Sequence, residues 1–293
     1  MSATALPAEN RAAGIGWMLA TMFWFLTLDA TMKYALETYS LVQVTWGRFF
    51  FATLSAALFC GRDLPQLLKS AEPQKQGIRT LLLMITTGLF NAGVARVPLA
   101  TASVIMSMTP IAVTVLSIIV LHEHVGIRRW IGIAVGFTGA MLVVKPWAIG
   151  TEGFQAATLF FVLAVTTNAG YQIVTRQVRR DNPLTSLVFT ALGGAIVTSL
   201  VLPWFWQWPD LKGWALLVGS GVAASLGHLC IIKAYAAAPA SVIAPFNYSS
   251  MIWAAVFGYV IWNDWPTANV WSGAVLIVAA GLYILFRELK QVR

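Results

Sequence analysis

Apolar residues run along this chain in stretches too long for the core of a soluble domain. The hydrocarbon layer of a bilayer, about 30 Å thick, takes roughly 20 apolar residues as helix at about 1.5 Å each. Ten stretches meet that length: 13–33, 41–60, 78–97, 101–121, 129–146, 154–175, 184–203, 213–235, 241–262 and 268–286. They predict an all-α integral membrane protein with ten transmembrane helices. The polar segments between them are mostly short and leave no room for a soluble domain. The longest, GRDLPQLLKSAEPQKQGIR at 61–79, follows the second stretch. Residues 1–11 are polar and carry no cleavage signature before Trp17, so the first stretch is expected to be retained as a helix.

Composition agrees and narrows the class. Of 293 residues, 58% are hydrophobic and 10% are charged, which places the chain among membrane proteins. The net charge of +8 lies between apolar runs without an aromatic-basic groove, so no nucleic-acid partner is expected. Cys60 and Cys230 have no paired spacing and predict neither a disulfide nor a zinc site.

The basic residues instead report orientation. With the N-terminus inside, the cytoplasmic segments hold fourteen: Arg11; Arg62, Lys69, Lys75 and Arg79; Arg128 and Arg129; Arg176, Arg179 and Arg180; Lys233; Arg287, Lys290 and Arg293. The outer side holds Lys33, Arg96, Lys145 and Lys212, and Arg48 lies within a span. The positive-inside rule then predicts a multi-pass protein of the cell inner membrane with both termini cytoplasmic. Trp204, Trp206, Trp208, Trp214, Trp262 and Trp265 fall at expected outer ends, where amphipathic rings sit at headgroup depth.

The chain also repeats itself. ATASVIMSMTP (100–110) and APASVIAPFNY (238–248) share Ala-x-Ala-Ser-Val-Ile at an offset of 138. EHVGIRRWIG (123–132) and DWPTANVWSG (264–273) share an acid, a Trp seven residues on and a Gly two further, at an offset of 141. Two matches in the same order predict a duplication into 1–147 and 148–293. Five spans per half force the second half to enter the membrane from the opposite side, giving two inverted five-helix repeats. These features, with the Arg of TWGRFF in the second stretch, resemble EamA-type members of the drug/metabolite transporter superfamily. The resemblance implies a transporter and not an enzyme. Its relatives move amino acids, nucleotide-like metabolites, riboflavin or S-adenosylmethionine, or export drugs and metallophores. DATMKYAL followed by VQVTWGRFF looks most like carriers of S-adenosylmethionine and of opine metallophores such as pseudopaline. Asp264 stands where the family commonly has Glu.

Several polar residues within the spans are candidates for substrate binding or coupling. Asp29 lies about 24 Å into the first span, with Lys33 near the outer edge and Arg48 about 10 Å below that edge on the next helix. An Asp29–Arg48 pair is therefore expected, with Lys33 in the favourable i,i+4 order after Asp29. The three form either a structural or gating cluster, or a functional one. In the functional case Asp29 carries a coupling proton or Arg48 anchors a substrate carboxylate. His228, Asn91, Asn168, Tyr171, Gln172, Asn247 and Tyr248 fall at middle or inner depth and either bind a zwitterion or tie helices together. Trp24 and Trp46 are intramembrane aromatics that form either a stacking wall or ordinary packing. HEH at 122–124 lacks metal-ligand spacing, so no metal is expected. No Walker motif is present, and no cofactor is predicted. The expected activity is secondary transport by alternating access, as an exporter of a small amino-acid-derived metabolite. Import or exchange of S-adenosylmethionine, riboflavin or amino acids is the alternative, and a polytopic lipid enzyme is the alternative of another class. Coupling is to protons or absent. The partners are a small-molecule substrate and the lipid bilayer, with monomer and homodimer both open.

Overall fold

The structure is a computed structural model that describes residues 10–121, 127–144, 152–178 and 181–291. Among these residues there are helices and no strands. In chain order they are α1 (Arg11–Ala35), α2 (Leu41–Cys60), α3 (Leu64–Leu67), α4 (Pro73–Val94), α5 (Leu99–Met106), α6 (Thr109–Leu121), α7 (Ile127–Val144), α8 (Glu152–Gln177), α9 (Pro183–Val201), α10 (Leu211–Ala237), α11 (Ala240–Ile243), α12 (Ser249–Trp262) and α13 (Ala268–Gln291). Short 3-10 turns follow α2, α9 and α11. Seven helical segments among the described residues are long and apolar enough to cross a bilayer. Trp130–Val143 and Ala268–Tyr283 are shorter apolar helices.

Local chemistry sets the boundaries. Ser40 caps α2 by accepting the Gln43 N–H, and Asp210 caps α10 by accepting that of Gly213. The third stretch, expected at 78–97, is displaced. α4 starts at Pro73, whose fixed φ suits a first turn, and stops before the extended Val97–Pro98 segment. The fourth and ninth stretches, expected as single helices, are broken. Pro110 has no N–H to give Met106 O, and its ring crowds that carbonyl, so the helix parts at Ser107–Met108. Pro245 likewise sits in the 3-10 turn Ala244–Tyr248 between α11 and α12. The two breaks occupy matching places in ATASVIMSMTP and APASVIAPFNY.

The bundle is built from close helix pairs. α1 lies along α10, α4 along α8, and α7 along α13. α2 packs on both α9 and α10, α4 on α9, α6 on α8, α12 on α1, and α5 on α12. Small residues allow the tightest of these approaches. A Cβ on Gly273 would fall 2.6 Å from Gly139 O, so α7 and α13 meet backbone to backbone. The largest buried apolar cluster joins α1, α4, α5, α7, α8, α12 and α13.

Two networks close opposite ends. At the α1–α2 corner, Tyr39 donates to Asp210 at 3.0 Å and Ser40 to Phe205 O at 3.1 Å. Gln43, fully buried, donates to Gln207 O at 2.7 Å and accepts Gln207 N–H at 2.9 Å. At the α8–α9 corner, Asp181 accepts from Ser70 at 2.5 Å, Ala71 N–H at 2.8 Å and Gln76 at 2.8 Å. Partial burial works against the charge on Asp181, but those three donors outweigh it and hold the carboxyl below the usual carboxylate range.

Candidate functional site

α4 is inverted relative to a soluble amphipathic helix. Ile78, Leu81 and Ile85 face outward, while Gln76, Arg79, Thr80, Thr86, Thr87 and Asn91 are buried. These polar positions recur at helical spacing and meet α2, α8 and α9. Arg79 is the most engaged. Its Nε donates to Thr175 Oγ1 at 2.9 Å, Nη1 to Ser186 O and Thr190 Oγ1, and Nη2 to Tyr171 Oη at 2.7 Å. The sequence reading placed Arg79 with the loop charges; it is instead buried in the second turn of α4. Its partners lie on α8 and α9, far along the chain, so only the periodic polar face of α4 could have revealed it.

Higher on the same face, α2 and α4 share two rungs. Arg48 Nη1 donates to Thr87 Oγ1 at 2.8 Å, and Asn91 Nδ2 donates to Thr45 Oγ1 at 3.1 Å. Asn91 is fully buried there and ties the two helices. Arg48 differs. Deep in the bundle, it remains only half-buried, and among the described residues no acceptor other than Thr87 meets its guanidinium. Asp29 on α1 and His228 on α10 are likewise deep yet half-buried. Side chains surrounded by protein on every side that retain accessible surface face an internal space. Phe25 packs edge-on to His228, with ring centres 5.1 Å apart.

Charge links these groups. Arg48 and Asp29 act on each other, and Arg48 and Arg79 act on His228. Asp29 and Arg48 thus act on each other by charge, but among the described residues the direct ion pair expected from their depths does not join them. A correction concerns Lys33. It does not turn back to Asp29; its ammonium donates to Val97 O at 2.6 Å and lies 4.9 Å from the centre of the Trp262 ring. Its charged neighbours are Asp264 and Glu37, and Glu37 in turn accepts from Trp262 Nε1 at 2.6 Å. The reach of the lysine chain explains this: from the last turn of α1 it meets the carbonyl exposed before Pro98 sooner than it meets Asp29.

The remaining candidates divide. Gln172 and Asn247 are half-buried, on α8 and in the 3-10 turn before α12. Asn168 lies 3.4 Å from Thr109 Oγ1 and clips α8 to the break between α5 and α6. The Tyr248 hydroxyl points at Gly281 of α13, where a Cβ would strike it. Trp46 donates to Ser199 at 2.9 Å and stacks on Phe50 in the α2–α9 seam. Trp24 packs against the α1–α2–α10 core. HEH at 122–124 lies outside the described residues, and among those residues no group of three His, Cys, Asp or Glu side chains is placed to hold a metal.

Comparison with known proteins gives this arrangement its context. Residues 12–145 and 155–286 each match the model of the EamA-like transporter family. The chain belongs to the EamA-like transporter family. It is 30% identical over 283 residues to an S-adenosylmethionine uptake transporter of Rickettsia bellii, covering 96% of each chain. It is 29% identical over 290 residues to a riboflavin transporter of Vibrio cholerae, covering 96% of this chain and 95% of that one. It is 26% identical over 271 residues to the pseudopaline exporter CntI of Pseudomonas aeruginosa, covering 90% of this chain and 94% of that one. This EamA-like protein is thus a multi-pass membrane transporter of small molecules and not an enzyme.

Proposed function

We propose that this EamA-like protein is a secondary carrier of amino-acid-derived zwitterions, with S-adenosylmethionine the leading substrate. One observation carries the reading. Arg48 is held by a single bond to Thr87, turns the rest of its guanidinium to an internal space, and has Asp29 as its neighbouring opposite charge. A guanidinium with free N–H groups is shaped to take a carboxylate in two parallel bonds. Asp29 then faces the cationic end of the same ligand, or carries a coupling proton when the site is empty.

The carrier sits in the cell inner membrane as ten spans with both termini cytoplasmic, in two inverted repeats, 1–147 and 148–293. Helix packing supports this. Exchanging α1 with α8, α2 with α9, α4 with α10, α5–α6 with α11–α12 and α7 with α13 turns the α1–α10 pair into α8–α4. The same exchange turns α2–α10 into α9–α4 and α12–α1 into α6–α8, and returns α2–α9 and α7–α13 to themselves. Broken helices at matching places of two repeats are where such carriers form their sites. Alternating access then moves the two sets about the Asp29–Arg48 centre, in the direction set by the substrate gradient.

Proteoliposome counterflow of labelled S-adenosylmethionine tests the reading. Exchange that Arg48→Gln abolishes and Arg48→Lys partly keeps supports it; full exchange by Arg48→Gln defeats it. Export of a nicotianamine-like metallophore is the second reading, favoured by the likeness to the pseudopaline exporter. It predicts efflux of that polycarboxylate with the same dependence on Arg48.

A further inference from the structure

Arg79 is buried to 5% relative exposure, yet none of its bonds goes to a carboxylate. A guanidinium inside a bundle must spread its charge over whatever accepts from it. Two of its acceptors, Thr175 and Thr190, return their own hydroxyl hydrogens to helix carbonyls, Tyr171 O at 2.7 Å and Ser186 O at 2.8 Å. Ser186 O has no hydrogen to give. Tyr171 is the exception. Its oxygen accepts from Arg79 Nη2, its ring lies 4.7 Å from the guanidinium carbon, and among the described residues no acceptor takes its own O–H. A hydroxyl that accepts from a cation becomes a stronger donor. Tyr171 is half-buried, and the Arg79 from which it accepts stands on the same buried polar face of α4 as Thr87, which holds Arg48.

We infer that Tyr171, polarised by Arg79, is a second donor to the substrate carboxylate, facing Arg48 across the internal space and setting the preference for carboxylated substrates. Arg79 is its positioning residue: four bonds to α8 and α9 fix the guanidinium so that Tyr171 keeps one orientation. The inference rests on the reading of Arg48 as a carboxylate anchor. It adds that one positive charge does not suffice, and that a neutral, directional O–H completes the subsite. It also gives Arg79 a part in recognition although it never touches the ligand.

The test uses the full-length protein in lipid nanodiscs with two labelled probes, S-adenosylmethionine and its decarboxylated analogue. Tyr171→Phe keeps the ring over Arg79 and removes only the O–H. Wild type is expected to prefer S-adenosylmethionine, and Tyr171→Phe to cut that preference by about tenfold, one hydrogen bond to a charged group. Binding of the decarboxylated analogue should stay unchanged, which also reports an intact fold. Arg79→Lys should lower the preference in the same direction. Equal weakening of both probes by Tyr171→Phe means a structural role and overturns the inference. An unchanged preference in Tyr171→Phe, with the preference lost in Arg48→Gln, overturns it while the anchor reading stands. No preference in the wild type, or no binding of either probe, overturns both.

Discussion

Thr109 Oγ1 donates to Met106 O at 2.6 Å, replacing the amide hydrogen that Pro110 cannot supply. In the other half Ser249 Oγ donates to Phe246 O at 2.7 Å, just after Pro245. Each break in the bundle therefore has a nearby hydroxyl bonded to a carbonyl; Phe246 O also takes the Ser249 N–H, whereas Met106 O depends on Thr109. Thr109 is buried, so Thr109→Val should leave that carbonyl unmet at a cost of about 1–3 kcal/mol. Thermal unfolding in detergent should show the loss. In a Pro110→Ala background the helix amide can take over, and Thr109→Val should cost clearly less, only its long contact with Asn168 being lost. An equal loss in both backgrounds would mean that the threonine acts elsewhere.

Thr87 orients Arg48, and it is itself buried. Thr87→Val preserves shape and removes the acceptor. The guanidinium should then wander within the internal space, raising the KM for S-adenosylmethionine exchange about tenfold with little change in melting temperature. Thr87→Ser should restore most of the affinity. A rise in KM for Thr87→Ser with none for Thr87→Val would point to the methyl group and not to the bond.

How much of this was open to reading from the sequence depends on the distance between partners. α2 was legible at both ends because its signals are local: Ser40 caps one end and Gly61, at positive φ, ends the other. Asp29 and Arg48 were legible as neighbours because consecutive helices share a depth scale. The fate of Lys33 was not, since Val97 and Trp262 reach it from distant parts of the chain. Arg79 was misread for a related reason. Near a span end an arginine looks like a loop charge, and only the buried polar face of α4, from Gln76 to Asn91, distinguishes it. Pro110 and Pro245 lay in plain view within their stretches; hydrophobicity alone ran through them.

Asp181 makes the α8–α9 corner sensitive to acid. Its folded carboxyl titrates below the unfolded one, which lies near about 3.9. Its contribution to stability is therefore complete above the unfolded value and is lost as pH falls through the folded value. Asp181→Asn should melt earlier than wild type at pH 7. The two proteins should converge as the pH falls through the folded carboxyl's own value, below the unfolded one. A gap that persists in acid would assign the effect to shape and not to charge.

The two sets of contacts near the end of α1 should behave differently during transport. At the corner, parting Gln43 from Gln207 would leave a fully buried amide without both partners, at about 1–3 kcal/mol for each lost bond. At the end of α1, Lys33 and Glu37 reach Val97 O and Trp262 by long side chains that water can satisfy once they part. The second set is the one that can open cheaply, and it joins α1 to α12, which belong to different repeats. A short thiol crosslinker between cysteines at Glu37 and Trp262, with Cys60 and Cys230 replaced by serine, should stop S-adenosylmethionine exchange. The same reagent between cysteines at Ser40 and Phe205, which bridge the corner at 3.1 Å, should leave exchange intact. Reduction of a cleavable crosslinker should restore the first variant. If both crosslinks stop exchange, the corner moves as well and the cost assigned to Gln43 is overcome; if neither does, α1 and α12 stay together throughout the cycle.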